Sequence, residues 1–167
     1  MHSCSRGEFM TAQGLIEHYG LQPHPEGGWY REVHRSSHSL GGIPGYSGER
    51  SALTVIYFLL SAGNFSVWHR VKSEEVWLHL AGAPLELVVL QKDPAVYLLD
   101  HAGAPGQPLA VVPCDALQAA RTLGDFTFVS CLVAPGFDFA DFEIPTCDEI
   151  VASHPLHEQL VRQFCRS

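Results

Sequence analysis

The stretch Gly63-Asn64-Phe65-Ser66-Val67-Trp68-His69-Arg70-Val71-Lys72-Ser73-Glu74-Glu75-Val76-Trp77-Leu78-His79-Leu80-Ala81-Gly82 reads as two short strands joined by a polar turn. Side chains alternate along a strand, so Phe65, Val67, His69 and Val71 share one face of the first, and Glu75, Trp77 and His79 share one face of the second. With both faces turned inward, His69 and Glu75 meet inside the protein. A histidine held beside a carboxylate is a candidate general base, because the carboxylate favours the charged imidazole while burial opposes it. The plainer alternative is a polar pair that only satisfies itself in the core.

Outward from this stretch, strand-like runs continue on both sides. They cover Trp29 to Arg35, Ala52 to Leu60, Leu85 to Leu90, Val96 to Leu99, Leu109 to Val112, Phe126 to Val133 and Phe137 to Phe142. Gly, Pro, Asp and Asn punctuate them at short intervals, a pattern that predicts an all-β sandwich or barrel, with a jelly roll as the natural candidate. Thr11 is placed to cap a short helix carrying Leu15, Ile16 and Tyr19, which Gly20 can end. Asp148 to Phe164 has helical spacing, with Pro155 starting or kinking the last helix. Residues 36–50 are rich in Ser, Gly and His and read as a mobile surface loop, of the kind that often covers a site.

A second polar segment precedes the strands. In Pro23-His24-Pro25-Glu26-Gly27-Gly28-Trp29-Tyr30-Arg31-Glu32, the side chains His24, Glu26 and Arg31 stand beside glycines that let backbone approach a ligand. Arg31 could hold a phosphate or carboxylate through two parallel hydrogen bonds. The alternative is a rigid turn in which Glu26 and Arg31 pair with each other or with Arg50. Trp29, Trp68 and Trp77 are candidates to stack a planar ligand, although large aromatics in a β core usually fill space.

Gly63, His69, Glu75 and Gly82 have the spacing of the first motif of the cupin superfamily, and the Pro23 to Glu32 segment, Ile56-Tyr57-Phe58-Leu59-Leu60, Trp68-His69-Arg70-Val71 and Ala134-Pro135-Gly136-Phe137-Asp138-Phe139 strengthen the likeness. The chain resembles a small single-domain cupin branch of largely unassigned function over roughly residues 11–145. That resemblance implies an all-β, cupin-type double-stranded β-helix (jelly roll) with short N- and C-terminal helices, and a small-molecule cavity inside it. Most such proteins bind a metal, but the usual second histidine is Val71 here, and Gln118 occupies the place of a later one. His69, Glu75 and Gln118 would be the ligands of a divalent metal if one were bound; the expectation is no metal and no other cofactor, since this set falls short of two histidines and a carboxylate.

Some cupins that isomerise nucleotide-linked sugars pair a basic histidine with a tyrosine acid, and the resemblance offers Tyr30 and Tyr57 for that part. It leaves open which of them faces the cavity. His69 and Glu75 are accordingly the candidate catalytic residues, and His24, Glu26, Tyr30, Arg31, Tyr57, Trp77 and Gln118 the candidate ligand-binding ones. The leading expectation is an isomerase or epimerase acting on a polar, sugar-like or carbonyl-containing substrate; the alternative is a non-enzymatic module that binds or senses a small ligand. Relatives of this kind are often homodimers, and a hydrophobic edge strand gives a physical reason to pair.

A chain of 167 residues suits one domain, assigned to residues 11–167 after a frayed stretch at 1–10. Eighteen acidic against ten basic side chains give a formal charge of −8, with no basic run, which argues against nucleic acid and anionic membrane as partners. No apolar run is long enough to span a bilayer. The five cysteines are widely spaced and odd in number, which predicts reduced thiols in a cytoplasmic protein and a buried, structural Cys131.

Overall fold

The computed structural model describes residues 11–166, so the expectation for residues 1–10 lies outside them. Helix α1 (Ala12–Tyr19) opens on the Thr11 side chain, which accepts from the Gly14 amide, and closes on Gly20 in the left-handed conformation. Thirteen strands follow: β1 (Gln22–Pro23), β2 (Trp29–Arg35), β3 (Ser39–Leu40), β4 (Arg50–Ser51), β5 (Thr54–Ser61), β6 (Phe65–Val71), β7 (Glu74–Gly82), β8 (Leu85–Leu90), β9 (Pro94–Leu99), β10 (Leu109–Val112), β11 (Leu117–Thr122), β12 (Phe126–Ala134) and β13 (Phe142–Glu143). They form a six-stranded sheet in the order β1-β2-β5-β12-β7-β10 and a five-stranded sheet in the order β13-β6-β11-β8-β9, with β3 and β4 pairing apart. All the ladders are antiparallel, and the fold is a jelly roll with short terminal helices.

Alternation along the strands builds three apolar layers rather than one. Phe58, Leu60, Trp77, Leu87 and Val129 point between the sheets. Their neighbours point outward: Leu59 and Phe128 meet Leu15 and Leu21 beneath α1. On the other side, Trp68, Val88 and Ala119 pack under the C-terminal helices against Ile150, Val161 and Phe164. Both faces of the central strands are thus covered, which is why β5, β8 and β12 read as continuous apolar runs.

The C-terminal segment is helical as expected, with Pro155 starting its last part: α2 (Cys147–Ser153) has a Thr146–Glu149 capping box, and α3 (Glu158–Val161) follows a turn begun by Pro155. Three expectations need correction. Residues 137–142 are not one strand, because Asp138 accepts from the Ala140 amide and winds Phe139–Asp141 into a 3₁₀ turn before β13. The loop expected at 36–50 is tied down by the β3–β4 ladder, by the Arg50–Asp141 pair with nitrogen–oxygen distances of 2.6 and 3.0 Å, and by a 2.9 Å bond between the Tyr46 and Ser73 hydroxyls.

The cysteines are not all thiols. Cys147 and Cys165 are disulfide-bonded across the C-terminal layer, with Cα atoms 6.0 Å apart. Their partnership comes from helix packing and leaves no close-spaced motif in the sequence. Cys131 is free and buried as expected, Cys114 is free and exposed, and Cys4 lies outside the described residues. Among those residues no helix is long and apolar enough to cross a membrane.

Candidate functional site

The site begins with the turn between β1 and β2. The His24 amide donates to the Gly28 carbonyl at 3.1 Å and the Gly27 amide to the His24 carbonyl at 3.0 Å, which folds the segment tightly. Gly27 has φ +113°, and a Cβ there would collide with the Phe65 carbonyl, so only glycine lets the turn lie flat on β6. The Val67 amide then donates to the Glu26 carbonyl at 2.9 Å. This places the Glu26 side chain among those of β6, where it is 6% exposed.

Glu26 Oε1 accepts from the Ser66 hydroxyl at 2.9 Å, while Oε2 lies 3.3 Å from His69 Nε2 and 3.4 Å from His24 Nδ1. The tautomers follow from the outer partners. His69 Nδ1 lies 2.8 Å from the Val67 carbonyl, which can only accept, so Nδ1 carries the hydrogen and Nε2 offers a lone pair to Glu26. His24 Nδ1 accepts from the Glu26 amide at 3.3 Å, so its lone pair faces the same oxygen. Three lone pairs converge on one point, and a proton on Glu26 reconciles them.

The electrostatics agree with that placement. Burial pushes the Glu26 carboxyl up to about 8, against smaller opposing effects of the Ser66 hydroxyl and the Arg166 charge. Burial, and then the nearby His69, lower His24 to about 4. His69 is lowered mainly by burial, with the Glu75 charge and the Val67 carbonyl opposing. Both imidazoles are therefore neutral at neutral pH.

Glu75 approaches His69 from β7. Its Oε2 accepts from Gln118 Nε2 at 2.6 Å, and Gln118 Oε1 accepts from Trp77 Nε1 at 2.9 Å. Burial raises this carboxyl to about 7, with His69 lowering it and Glu26 raising it to lesser extents. A cavity of about 320 Å³ opens onto this group between the sheets, at the small end of the roughly 300–1,000 Å³ usual for ligand pockets. Among the described residues its walls combine the polar cluster with aromatic side chains, notably Tyr30, Phe58, Phe137, Phe139 and Phe142.

Five expected site residues line the cavity: His24, Glu26, Tyr30, His69 and Glu75. Gln118 and Trp77 stand behind them as a buried hydrogen-bond relay. Tyr57 packs against Tyr19 and Phe128 under α1, so the tyrosine facing the cavity is Tyr30. Arg31 lies outside as well, its guanidinium donating to the Tyr19 carbonyl at 2.9 Å. Alternation on β2 separates Tyr30 and Glu32, which face in, from Arg31, which faces out. Nor does any residue of 36–50 line the cavity; the segment at its mouth is 137–142. Glu32, Arg35 and Asp138 line the cavity too, charged residues that the sequence does not single out.

The fold has relatives among known proteins. The family model described as cupin superfamily (DUF985) matches residues 13–145. The chain belongs to the cupin superfamily. A hypothetical protein from Leishmania major is 33% identical to this cupin, with a TM-score of 0.86, and the match covers 94% of this chain and 99% of the other. A Shewanella oneidensis protein is 31% identical, with a TM-score of 0.84, over 93% and 98% of the two chains. Oxalate decarboxylase from Lactobacillus farciminis shares the fold alone, at 16% identity and a TM-score of 0.53, over 86% of this chain and 41% of that one. The search of curated proteins returns no match.

Membership raises the question of the metal that many cupins hold. His69, Glu75 and Gln118 do not fit one, since the Gln118 oxygen accepts from Trp77 and its nitrogen donates to Glu75. Among the described residues no group of three or more His, Cys, Asp or Glu side chains is arranged to hold a metal ion.

Proposed function

We propose that this cupin binds a small, polar, carbonyl-containing molecule in its cavity and isomerises or epimerises it by moving a proton at the carbon next to the carbonyl. One observation carries the reading: the lone pair of His69 Nε2 faces a buried carboxyl, Glu26, that keeps its proton near neutral pH. Base and acid then sit side by side without neutralising one another, as proton transfer at carbon requires. His69 Nε2 takes the substrate proton, and the imidazolium so formed is stabilised by Glu75, whose carboxyl, raised to about 7, is about half ionised at neutral pH. Tyr30 donates a hydrogen bond to the carbonyl oxygen while negative charge develops there. Glu26 returns a proton to carbon, and the proton on His69 then passes to Glu26, restoring the starting state.

The second reading is a binding module without turnover. It is favoured by the completeness of the resting hydrogen bonds, since Glu26, His69 and Glu75 each have a protein partner before any ligand enters. Solvent exchange separates the two. Hydroxyketones and aldoses are incubated with protein in heavy water, and deuterium at the carbon next to the carbonyl is followed by NMR. Wild-type protein should label at least one of them, and His69→Asn should slow labelling by roughly two to four orders of magnitude, the usual worth of a general base. If compounds that bind in the cavity are never labelled, the enzyme reading falls and the binding module remains.

A further inference from the structure

The proton-transfer reading leaves the charge of the substrate open, and the walls of the cavity bear on it. Four carboxyl groups line it: Glu26 from the β1–β2 turn, Glu32 from β2, Glu75 from β7 and Asp138 from the segment at the mouth. Burial holds a proton on Glu26 and raises Glu75 to about 7, and Glu32 is paired with Arg35, which leaves Asp138 as the carboxylate that faces an incoming ligand. Arg35 is the one guanidinium or ammonium among the described lining residues. It is already engaged, with Nε and Nη2 donating to the two Glu32 oxygens at 3.0 and 2.7 Å and with Nη1 and Nη2 both 3.2 Å from the Phe137 carbonyl. The remaining titratable lining groups, His24, His69, Tyr30 and Cys131, supply no positive charge at neutral pH: burial lowers both histidines, and burial raises the Cys131 thiol. Asp138 lies in the fields of Arg35 and, beyond the walls, of Arg50, which is held by Asp141.

A phosphate or carboxylate entering this space would leave water to meet the Asp138 carboxylate and a guanidinium that has its partner. A cation meets the opposite. The mouth adds aromatic faces: the Phe137, Phe139 and Phe142 rings have centroids 5.0 to 6.0 Å apart, and Phe139 remains 56% exposed although it is a large apolar residue. Such rings cover apolar ligand surface and attract a cation through their faces.

We propose that the cavity selects organic cations, so that the substrate is a small carbonyl compound bearing an amine and an apolar group, and phosphorylated or carboxylated molecules are excluded. The proposal rests on the proton-transfer reading for the carbonyl alone; the choice of charge comes from the walls. It separates this site from one built for nucleotide-linked sugars, which would need an available cation for the phosphates.

Calorimetric titration of the whole protein with benzylamine, benzyl alcohol, benzoate and inorganic phosphate tests it. These probes have no acidic carbon beside a carbonyl, so the result does not depend on turnover. Benzylamine should bind about tenfold more tightly than benzyl alcohol, the combined effect of a nearby carboxylate and an aromatic face, and benzoate and phosphate should bind more weakly than either. Asp138→Asn keeps an oxygen to cap the Ala140 amide and removes only charge; it should weaken benzylamine about threefold to tenfold and leave benzyl alcohol unchanged. Glu32→Gln frees Arg35 and should improve benzoate binding. Tighter binding of benzoate or phosphate than of benzylamine overturns the proposal, as does equal binding of amine and alcohol or no benzylamine binding. None of these results affects labelling of a carbonyl compound by His69.

Discussion

Glu26→Gln is the change whose consequence is best set by the structure. The carboxyl is buried and its pKa rises from 4.5 to about 8, chiefly because burial opposes its charge. A carboxyl with a raised folded pKa binds its proton more tightly when folded, so it contributes stability that is fully present below the unfolded value, is lost progressively as pH rises from 4.5 to about 8, and is gone above. Within that window each pH unit is worth about 1.4 kcal/mol for one group, so from about pH 5 to about pH 8 the wild-type carboxyl loses up to about 4 kcal/mol. Coupling to Glu75 and His69 brings the expected figure to about 2–4 kcal/mol. Glutamine keeps an oxygen for Ser66 and an N–H for the imidazole nitrogens, and has no proton to lose. Urea unfolding of both proteins at about pH 5, 6, 7 and 8 should therefore show the variant gaining on wild type with each step. His24, depressed to about 4, gives stability present above its unfolded value of 6.5 and lost as pH falls through about 4; both proteins share it, so it cancels in the difference. A difference that stays constant with pH refutes the reasoning, because Glu26 would then already be ionised at about pH 5.

Three further changes probe the supports of the site. Gln118→Leu leaves the Trp77 N–H and a Glu75 oxygen without partners and should cost about 1–3 kcal/mol for each in chemical denaturation, while moving the Glu75 pKa further upward. Gly27→Ala forces a Cβ against the Phe65 carbonyl and should lower stability by about 1–3 kcal/mol and weaken ligand binding, whereas Gly63→Ala, also at positive φ but with open space around it, should cost about 1 kcal/mol and spare binding. Cys165→Ser opens the disulfide that closes a sequence separation of 18 residues; it should cost about 2–4 kcal/mol in oxidised protein, and dithiothreitol should bring wild type down to the variant while leaving the variant unchanged.

The strands were legible wherever their two faces differ or both are apolar, as in β5, β6, β8 and β12. Strand β11 was not, because Leu-Gln-Ala-Ala-Arg-Thr has few β-branched residues; the strand forms because it is hydrogen-bonded on both edges, and its two buried alanines fit between crowded layers. His69 and Glu75 were found by alternation within one hairpin. The direct partner of His69 is nevertheless Glu26, far away in sequence and brought in by the glycine turn, so no local period could reveal the pair. Arg31 drew attention as a guanidinium beside the paired glycines, yet strand alternation turns it outward, and Arg35 is the lining arginine. The Cys147–Cys165 bond likewise depends on how the terminal helices pack, a tertiary fact without a sequence signature.

Two buried carboxyls that hold protons into the neutral range beside a neutral histidine are the centre of the proposed chemistry. Carbon-13 NMR of protein labelled at the glutamate carboxyl carbons, titrated from about pH 4 to about pH 9, observes them without any substrate. Two resonances should titrate far above the rest: one near 7 that Glu75→Gln removes, and one near 8 that Glu26→Gln removes. If every glutamate instead titrates below about pH 5.5, as an ordinary carboxylate does, the acid beside His69 does not exist and the proposed chemistry is contradicted.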